Sequence, residues 1–201
     1  VVSGMFDPSI SGAGIIPVSY LYTDGNGCSG SAASSIEVLQ APVVTLSLIN
    51  SICENERPVI LSGGSPSGGN YTGSGVISGT FDPAVSGAGS IPVSYLFTDG
   101  NGCSDSATST ITVLLSPNVT LALTGSICEN ASPVILAGGL PTGGIYTGSG
   151  VVSGSFDPAL SGVGTIPLSY SFTAGNGCSD SAVSSITVFQ SPVVALSFAA
   201  T

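Results

Sequence analysis

The chain has 201 residues and a formal net charge of −10, with Arg57 as its single basic residue and no histidine. A surface this acidic repels phosphates, so we expect no nucleic-acid partner, and no apolar run is long enough for membrane insertion. The serines have no histidine or lysine to act as a base, so we expect no enzyme and no cofactor. Hydrophobic residues make up 42% of the sequence, which is enough apolar surface to build folded cores.

The sequence repeats with a period of 75 residues. The stretch Ser94–Cys103 recurs as Ser19–Cys28 and as Ser169–Cys178 (103 − 28 = 75). Proline-containing turns near residues 41, 116 and 191 set the phase of the repeat. We therefore predict a C-terminal part of one repeat at 1–40, complete repeats at 41–115 and 116–190, and the first strand of a following repeat at 191–201. Units this small are expected to need disulfides or stacked neighbours.

The repeat at 41–115 predicts seven short strands. The first covers 43–48, and a polar loop at 50–57 carries Cys53. The next four strands are predicted at 58–61, 70–72, 75–77 and 80–83. The alternation through Ile91, Val93, Tyr95 and Phe97 predicts the clearest half-buried strand, and 107–113 predicts the last. Together they predict an all-β protein, a tandem array of small immunoglobulin-like β-sandwich domains that forms an extended rod.

The segment Asp99-Gly100-Asn101-Gly102 is interpreted as a hairpin turn, because Asn-Gly tolerates positive φ at both central positions. A calcium loop is the alternative reading. The turn is favoured because Ala174 replaces the aspartate in the next repeat. Asp7, Asp82 and Asp157, each in a Phe-Asp-Pro motif, are weak calcium candidates. We interpret them as Asx turns that end a strand, and expect no other metal site.

The five cysteines follow the repeat, with Cys28, Cys103 and Cys178 in one series and Cys53 and Cys128 in the other. Two cysteines per small β unit, without histidine or a CxxC motif, predict disulfides in an oxidising compartment. The next member of the second series would fall at 203 (128 + 75), so we expect the odd count to reflect a longer array.

Two disulfide pairings remain open on the sequence alone. Cys53–Cys103 and Cys128–Cys178 would close loops within repeats. Cys53–Cys178 would instead join neighbouring repeats, and it follows if five strands separate the two cysteine loops and place them at opposite ends. Strand parity favours this second pairing, whereas Cys103–Cys128 fits worst.

The motifs Ser-Ile-Cys-Glu-Asn, Gly-Gly-x-Pro-x-Gly-Gly-x-Tyr-Thr-Gly-Ser-Gly-Val, Phe-Asp-Pro-x-x-Ser-Gly-x-Gly and Asp-Gly-Asn-Gly-Cys-Ser recur in fixed order. In this the chain resembles the immunoglobulin-like or PKD-like tandem repeats of secreted Bacteroidetes surface proteins, including adhesins associated with gliding motility. The resemblance implies an extracellular location at the bacterial cell surface and provides no catalytic residues. Asp105-Ser106-Ala107 and Asp180-Ser181-Ala182 resemble the O-glycosylation acceptor of such proteins, so Ser106 and Ser181 are candidate acceptors.

These observations predict a structural stalk or fibre segment of a secreted surface protein, reinforced by disulfides. One alternative is an adhesin module whose exposed loops bind glycans or surfaces. The other is a self-assembling extracellular filament subunit. The expected partners are the neighbouring repeats of the same chain, with other copies in a fibre or surface glycans under the alternatives.

Overall fold

A computed structural model describes residues 4–123 and 125–197, and over this range the protein is all-β with three four-residue helices. Residues 1–40 form α1 (Pro8–Ser11), β1 (Gly14–Thr23) and β2 (Ser29–Val38). Residues 41–115 form β3 (Thr45–Leu46), β4 (Ser51–Cys53), β5 (Val59–Ile60), β6 (Gly64–Ser65), β7 (Asn70–Gly73), β8 (Val76–Ile77), β9 (Thr80–Phe81), α2 (Pro83–Ser86), β10 (Gly89–Thr98) and β11 (Ser104–Leu114). Residues 116–190 form β12 (Thr120–Leu121), β13 (Ser126–Cys128), β14 (Val134–Ile135), β15 (Gly139–Leu140), β16 (Ile145–Gly148), β17 (Val151–Val152), β18 (Ser155–Phe156), α3 (Pro158–Ser161), β19 (Gly164–Thr173) and β20 (Ser179–Phe189).

The secondary structure repeats with the period of the sequence. Strand β3 begins at Thr45 and β12 begins at Thr120 (120 − 45 = 75), and every later element of 41–115 recurs at the same displacement. The chain nevertheless divides into two compact units whose borders differ from the sequence repeats. Ser51–Arg57 and Gly87–Gly89 belong to the second unit together with the residues from Val113 on, and the other residues form the first unit. No helix in the described residues is long and apolar enough to cross a membrane.

The second unit contains a four-stranded sheet of order β13-β20-β19-β16, a three-stranded sheet of order β14-β18-β17 and the pair β12-β15. Strands β19 and β20 are antiparallel over their length, whereas β13 runs parallel to the C-terminal end of β20. The core draws on both larger sheets, since Leu136 and Phe156 pack against Leu168, Ile186 and Val188. Two small sheets therefore share one apolar layer.

Alternation along the long strands decides which residues enter the core. In β10, Val93 and Tyr95 are buried, while Pro92 and Leu96 are exposed. In β11, Ile111 and Val113 are buried, and their neighbours Thr110 and Thr112 are exposed. This period of two is the one predicted from the sequence, and it places one face of each long strand inward.

The glycine-rich motif of each repeat closes around a tyrosine. The Tyr95 hydroxyl accepts a hydrogen bond from Gly69 N at 2.7 Å and donates one to Pro66 O at 2.6 Å. A Cβ added at Gly64 or Gly69 would lie 2.5 Å from the Tyr95 ring, so these positions exclude side chains. Tyr71 packs on the same ring at a centroid distance of 4.6 Å. The spacing of the glycine-rich motif therefore lets its backbone pack against the tyrosine ring and hydrogen-bond the tyrosine hydroxyl.

Several element predictions need correction. Each complete repeat has nine strands and one helix in place of seven strands, and the first strand covers Thr45–Leu46 where 43–48 was predicted. Cys53 lies in strand β4, not in a polar loop. Between the strands predicted at 58–61 and 70–72 lies a further strand, β6, and the strand predicted at 80–83 ends at Phe81, with helix α2 beginning at Pro83. A two-residue strand is too short to show an alternating pattern, so its existence depends on the strand that it pairs with.

We expect Tyr95→Phe to lower the free energy of unfolding of its unit by about 1–3 kcal/mol, because Gly69 N–H and Pro66 C=O lose their partner. Tyr20 occupies the corresponding position in β1, where its side chain is 67% exposed. The control Tyr20→Phe should therefore change the unfolding free energy by less than about 0.5 kcal/mol. Urea unfolding followed by tyrosine fluorescence measures both variants, and equal effects would contradict the role assigned to the Tyr95 hydroxyl.

Candidate functional site

The candidate site is a disulfide between the two complete sequence repeats. Cys53 is bonded to Cys178 with an S–S distance of 2.07 Å and a Cα–Cα distance of 5.7 Å. Both residues lie in the second compact unit, because Ser51–Arg57 packs with the residues that follow Val113. The pairing that joins neighbouring repeats is the one that the structure contains, and the pairing within repeats is wrong.

The parallel alignment of the cysteine strand explains this choice. In the second repeat Cys128 lies opposite Phe189, at the end of β20, whereas Cys178 immediately precedes the start of β20. Eleven residues of extended chain (189 − 178 = 11) separate the two positions by roughly 35 Å at about 3.3 Å per residue. A disulfide requires Cα atoms within about 7 Å, so the cysteines of one repeat cannot meet.

The first complete repeat has the same arrangement. Glu54, which follows Cys53, donates its backbone N–H to the carbonyl oxygen of Leu114 at 2.9 Å, and Leu114 is the last residue of β11. The pairing that strand parity favoured is thus the one in the structure, although the number of strands on which it depended was wrong. The cysteines lie at opposite ends because β4 is itself a strand and joins the sheet that contains β11.

Hydrogen bonds surround the disulfide on both sides. Asn55 Nδ2 donates to Ser179 O at 2.9 Å, and Asn55 Oδ1 accepts from Ser116 Oγ at 2.7 Å. From the other repeat, Asn176 Nδ2 donates to Leu115 O at 2.9 Å. We call Cys53, Asn55, Leu115 and Ser116, together with the turn at 176–179 that they hold, the joint.

Burial protects one sulfur of the joint. Cys178 is fully buried, and its Sγ lies 3.9 Å from Leu114 O. Cys53 is half-buried. Thiol–disulfide exchange requires a thiolate to reach a sulfur atom, so the joint offers attack mainly at Cys53.

The other three cysteines are unpaired in the described part of the chain. Cys28 and Cys128 are exposed, and Cys103 is partly exposed. Cys28 and Cys103 occupy the position of Cys178 in their repeats, and Cys128 occupies the position of Cys53. Each free thiol thus corresponds to one side of the joint.

The turns that precede Cys28, Cys103 and Cys178 are hairpin turns, but not of the predicted type. Gly102 N donates to Asp99 O at 3.1 Å and Gly102 has a φ of 87°, whereas Asn101 is not among the residues with positive φ. The backbone is thus a type I turn followed by a left-handed glycine. Two adjacent positive φ angles occur instead at Ser78 (49°) and Gly79 (78°), in the β8–β9 hairpin.

The aspartate of this turn has a local structural role. Asp99 Oδ1 accepts hydrogen bonds from Asn101 N and Cys103 N, each at 2.9 Å. Where Ala174 replaces it, Asn176 Oδ1 accepts from Cys178 N at 3.1 Å. The asparagine can therefore support the turn when the carboxylate is missing.

The three calcium candidates each lie at the start of a four-residue helix. Asp7, Asp82 and Asp157 accept a hydrogen bond from the backbone N–H two residues later, at 2.9–3.0 Å. The hydrogen bonds from Ser9 Oγ and then Ser9 N lower the pKa of Asp7. Among the described residues no three Asp, Glu, Cys or His side chains cluster as metal ligands. The geometry is that of an Asx turn.

The candidate glycosylation serines lie near the start of the last strand of each complete repeat. Ser106 and Ser181 are exposed, and each backbone N–H donates to the preceding aspartate at 2.8 Å. Their modification remains a prediction.

No protein-family model matches the chain, and no curated protein matches it. Among solved structures, the chain is similar to one described as "Ca2+-stabilized adhesin helps an Antarctic bacterium reach out and bind ice", with a TM-score of 0.38 and 14% identity. The match covers 89% of this chain and 58% of that chain, so the chain spans little more than half of its length. At this level the likeness carries no argument about function.

The joint can be tested by peptide mapping without reduction. The four glutamates are Glu37, Glu54, Glu56 and Glu129, so a glutamate-specific protease separates the two cysteines of each open pairing onto different peptides. We expect peptide 38–54 to be linked to peptide 130–201, because these hold Cys53 and Cys178. A link between 38–54 and 57–129, which holds Cys103 and Cys128, would instead give Cys53 a different partner and contradict the structure.

Proposed function

We propose that the chain is a structural segment of a secreted surface protein, in which small immunoglobulin-like sandwiches form an extended, disulfide-reinforced rod. The observation that carries this proposal is the Cys53–Cys178 bond, which joins the two complete sequence repeats. A repeat whose cysteines cannot pair with one another requires a neighbour to complete each bond.

The sandwich assignment is supported by the core of the second unit. Leu136 follows a strand of the three-stranded sheet, Phe156 lies in that sheet, and both pack on residues of β19 and β20. Two sheets that face each other across one apolar layer, with alternating residues pointing inward, are the elements of a β-sandwich.

The disulfide supports an oxidising location. Such bonds persist in secreted and cell-surface proteins and are rare where the glutathione pool keeps thiols reduced. The negative net charge of −10 is suited to keeping an exposed, repetitive surface soluble. Both features are consistent with an extracellular segment.

The bond changes how the chain carries tension. Cys53 and Cys178 are separated by 125 residues, and a pull on the two ends of the chain passes directly between them through the S–S bond. The intervening residues, which include most of both complete repeats, are therefore bypassed by the load. They can lose their fold under force without adding length to the chain.

The distribution of aromatic side chains favours this mechanical role over an adhesive surface. Within 41–190 the tyrosines and phenylalanines are buried or half-buried, and the exposed exception is Phe189. Exposed, clustered aromatic rings are the usual anchors of a recognition surface, and the repeats instead place these rings in or beside their cores.

Single-molecule stretching between the two ends tests the mechanical role. The protein should be used with Cys28, Cys103 and Cys128 changed to serine, so that only the joint can form. Adding Cys53→Ser should lengthen the fully extended chain by about 410–450 Å, because 125 further residues can extend by about 3.3–3.6 Å each. Equal extended lengths with and without Cys53 would show that the bond does not carry the load.

The rod arrangement has its own test. Electron micrographs of the chain should show elongated particles whose length increases by a constant step for each added repeat. Compact particles would contradict the rod and would leave the disulfide pairing unaffected.

A further inference from the structure

The C-terminal end of the second complete repeat carries an unfilled copy of the joint. Cys128, Asn130, Gln190 and Ser191 occupy the positions of Cys53, Asn55, Leu115 and Ser116, displaced by 75 residues. We call these four residues the socket. Cys128 is exposed, and it forms no disulfide with any described residue.

The socket has the backbone geometry of the filled joint. Glu129 N donates to Phe189 O at 2.8 Å, as Glu54 N donates to Leu114 O at 2.9 Å. Asn130 N donates to Ser191 Oγ at 3.1 Å, as Asn55 N donates to Ser116 Oγ at 3.2 Å. The Cys53–Cys178 joint holds an Asn-Gly-Cys turn. The matching backbone geometry indicates that the socket fits a turn of the same kind.

The chain has another turn of this kind at Asp24–Cys28, and the cysteine of this turn is not in a disulfide. Asp24 N donates to Cys28 O at 3.0 Å and Gly27 N donates to Asp24 O at 3.1 Å. The bonded turn has the same pair of hydrogen bonds, at 2.8 and 2.9 Å, between Ala174, Gly177 and Cys178. Cys28 is exposed, whereas Cys103, in the third such turn, is partly covered.

We propose that the socket of one copy binds the Asp24–Cys28 turn of a second copy and that Cys128 forms a disulfide with Cys28. The contacts follow from the filled joint: Asn130 Nδ2 would donate to Ser29 O, and Asn26 Nδ2 would donate to Gln190 O. The inference rests on the proposed structural role and adds its partner, another copy of this repeat. Socket and turn are different surfaces, so the contact is heterologous and leaves one of each free for further copies.

The bond requires an oxidant, which we take to be a small-molecule disulfide. A thiolate of one cysteine displaces one half of that disulfide, and the thiolate of the partner cysteine then displaces the second half. The products are one protein disulfide and two small-molecule thiols, which take up the two protons that the protein thiols gave up.

The experiment uses the full 201-residue chain with Cys103→Ser, so that Cys28 and Cys128 are the only free thiols. Oxidised glutathione is added over a range of protein concentrations, and the products are digested with the glutamate-specific protease without reduction. We expect a ladder of covalent oligomers in which peptide 1–37 is linked to peptide 57–129. Bonds of Cys28 to Cys28 or of Cys128 to Cys128 as the main product would overturn the proposal, and so would a Cys28–Cys128 bond confined to monomers.

A second variant separates specific docking from random oxidation. Asn130→Ala removes the socket's side-chain donor and keeps the Cys128 thiol, so oligomers should form several-fold more slowly. The reaction of Cys128 with a small alkylating reagent should not change. An unchanged rate of oligomer formation would overturn the proposal. Failure here would leave the Cys53–Cys178 stretching result intact, so the two hypotheses fail separately.

Discussion

The parallel pairing of a three-residue strand determines how this chain is cross-linked. Strand β13 aligns with the end of β20, and this alignment places Cys128 opposite Phe189 while Cys178 lies before the other end of the strand. A disulfide reaches only about 7 Å between Cα atoms, so the length of one strand is enough to prevent a bond within the repeat. Cys53 is instead bonded to Cys178 of the neighbouring repeat.

Hydrogen bonds between the repeats accompany the disulfide at the joint. Asn55 contacts both the linker serine, Ser116, and the incoming strand at Ser179, and Asn176 returns a hydrogen bond to Leu115. These contacts hold the turn against the linker on both sides of the disulfide. A site that orients its cysteines in this way is suited to oxidation with the correct partner, which is the basis for assigning the same role to the socket at Cys128.

Each complete repeat buries a tyrosine whose hydroxyl is hydrogen-bonded inside the repeat. Tyr95 and Tyr170 are 1% exposed, and their hydroxyls satisfy backbone groups of the glycine-rich segment. No described buried side-chain nitrogen or oxygen lacks a hydrogen-bond partner. Small cores of this kind provide limited stability, and a cross-link between repeats adds to it.

The sequence by itself determined the 75-residue period, the all-β class and the inward-facing residues of the long strands, because period and alternation are local properties that extend over many residues. It also predicted the five cysteines as disulfide partners and left their pairing open, and the structure pairs two of them, Cys53 and Cys178. Only the tertiary structure decided the strand at Ser51–Cys53, the two-residue strands and the helix after each Phe-Asp-Pro motif. These elements are too short to have a pattern of their own. The strand at Ser51–Cys53 forms because β11 supplies its partner, whereas β8 pairs with nearby β9 and each helix begins at a local Asx turn. The disulfide pairing depended on one of them, and for that reason it required the fold.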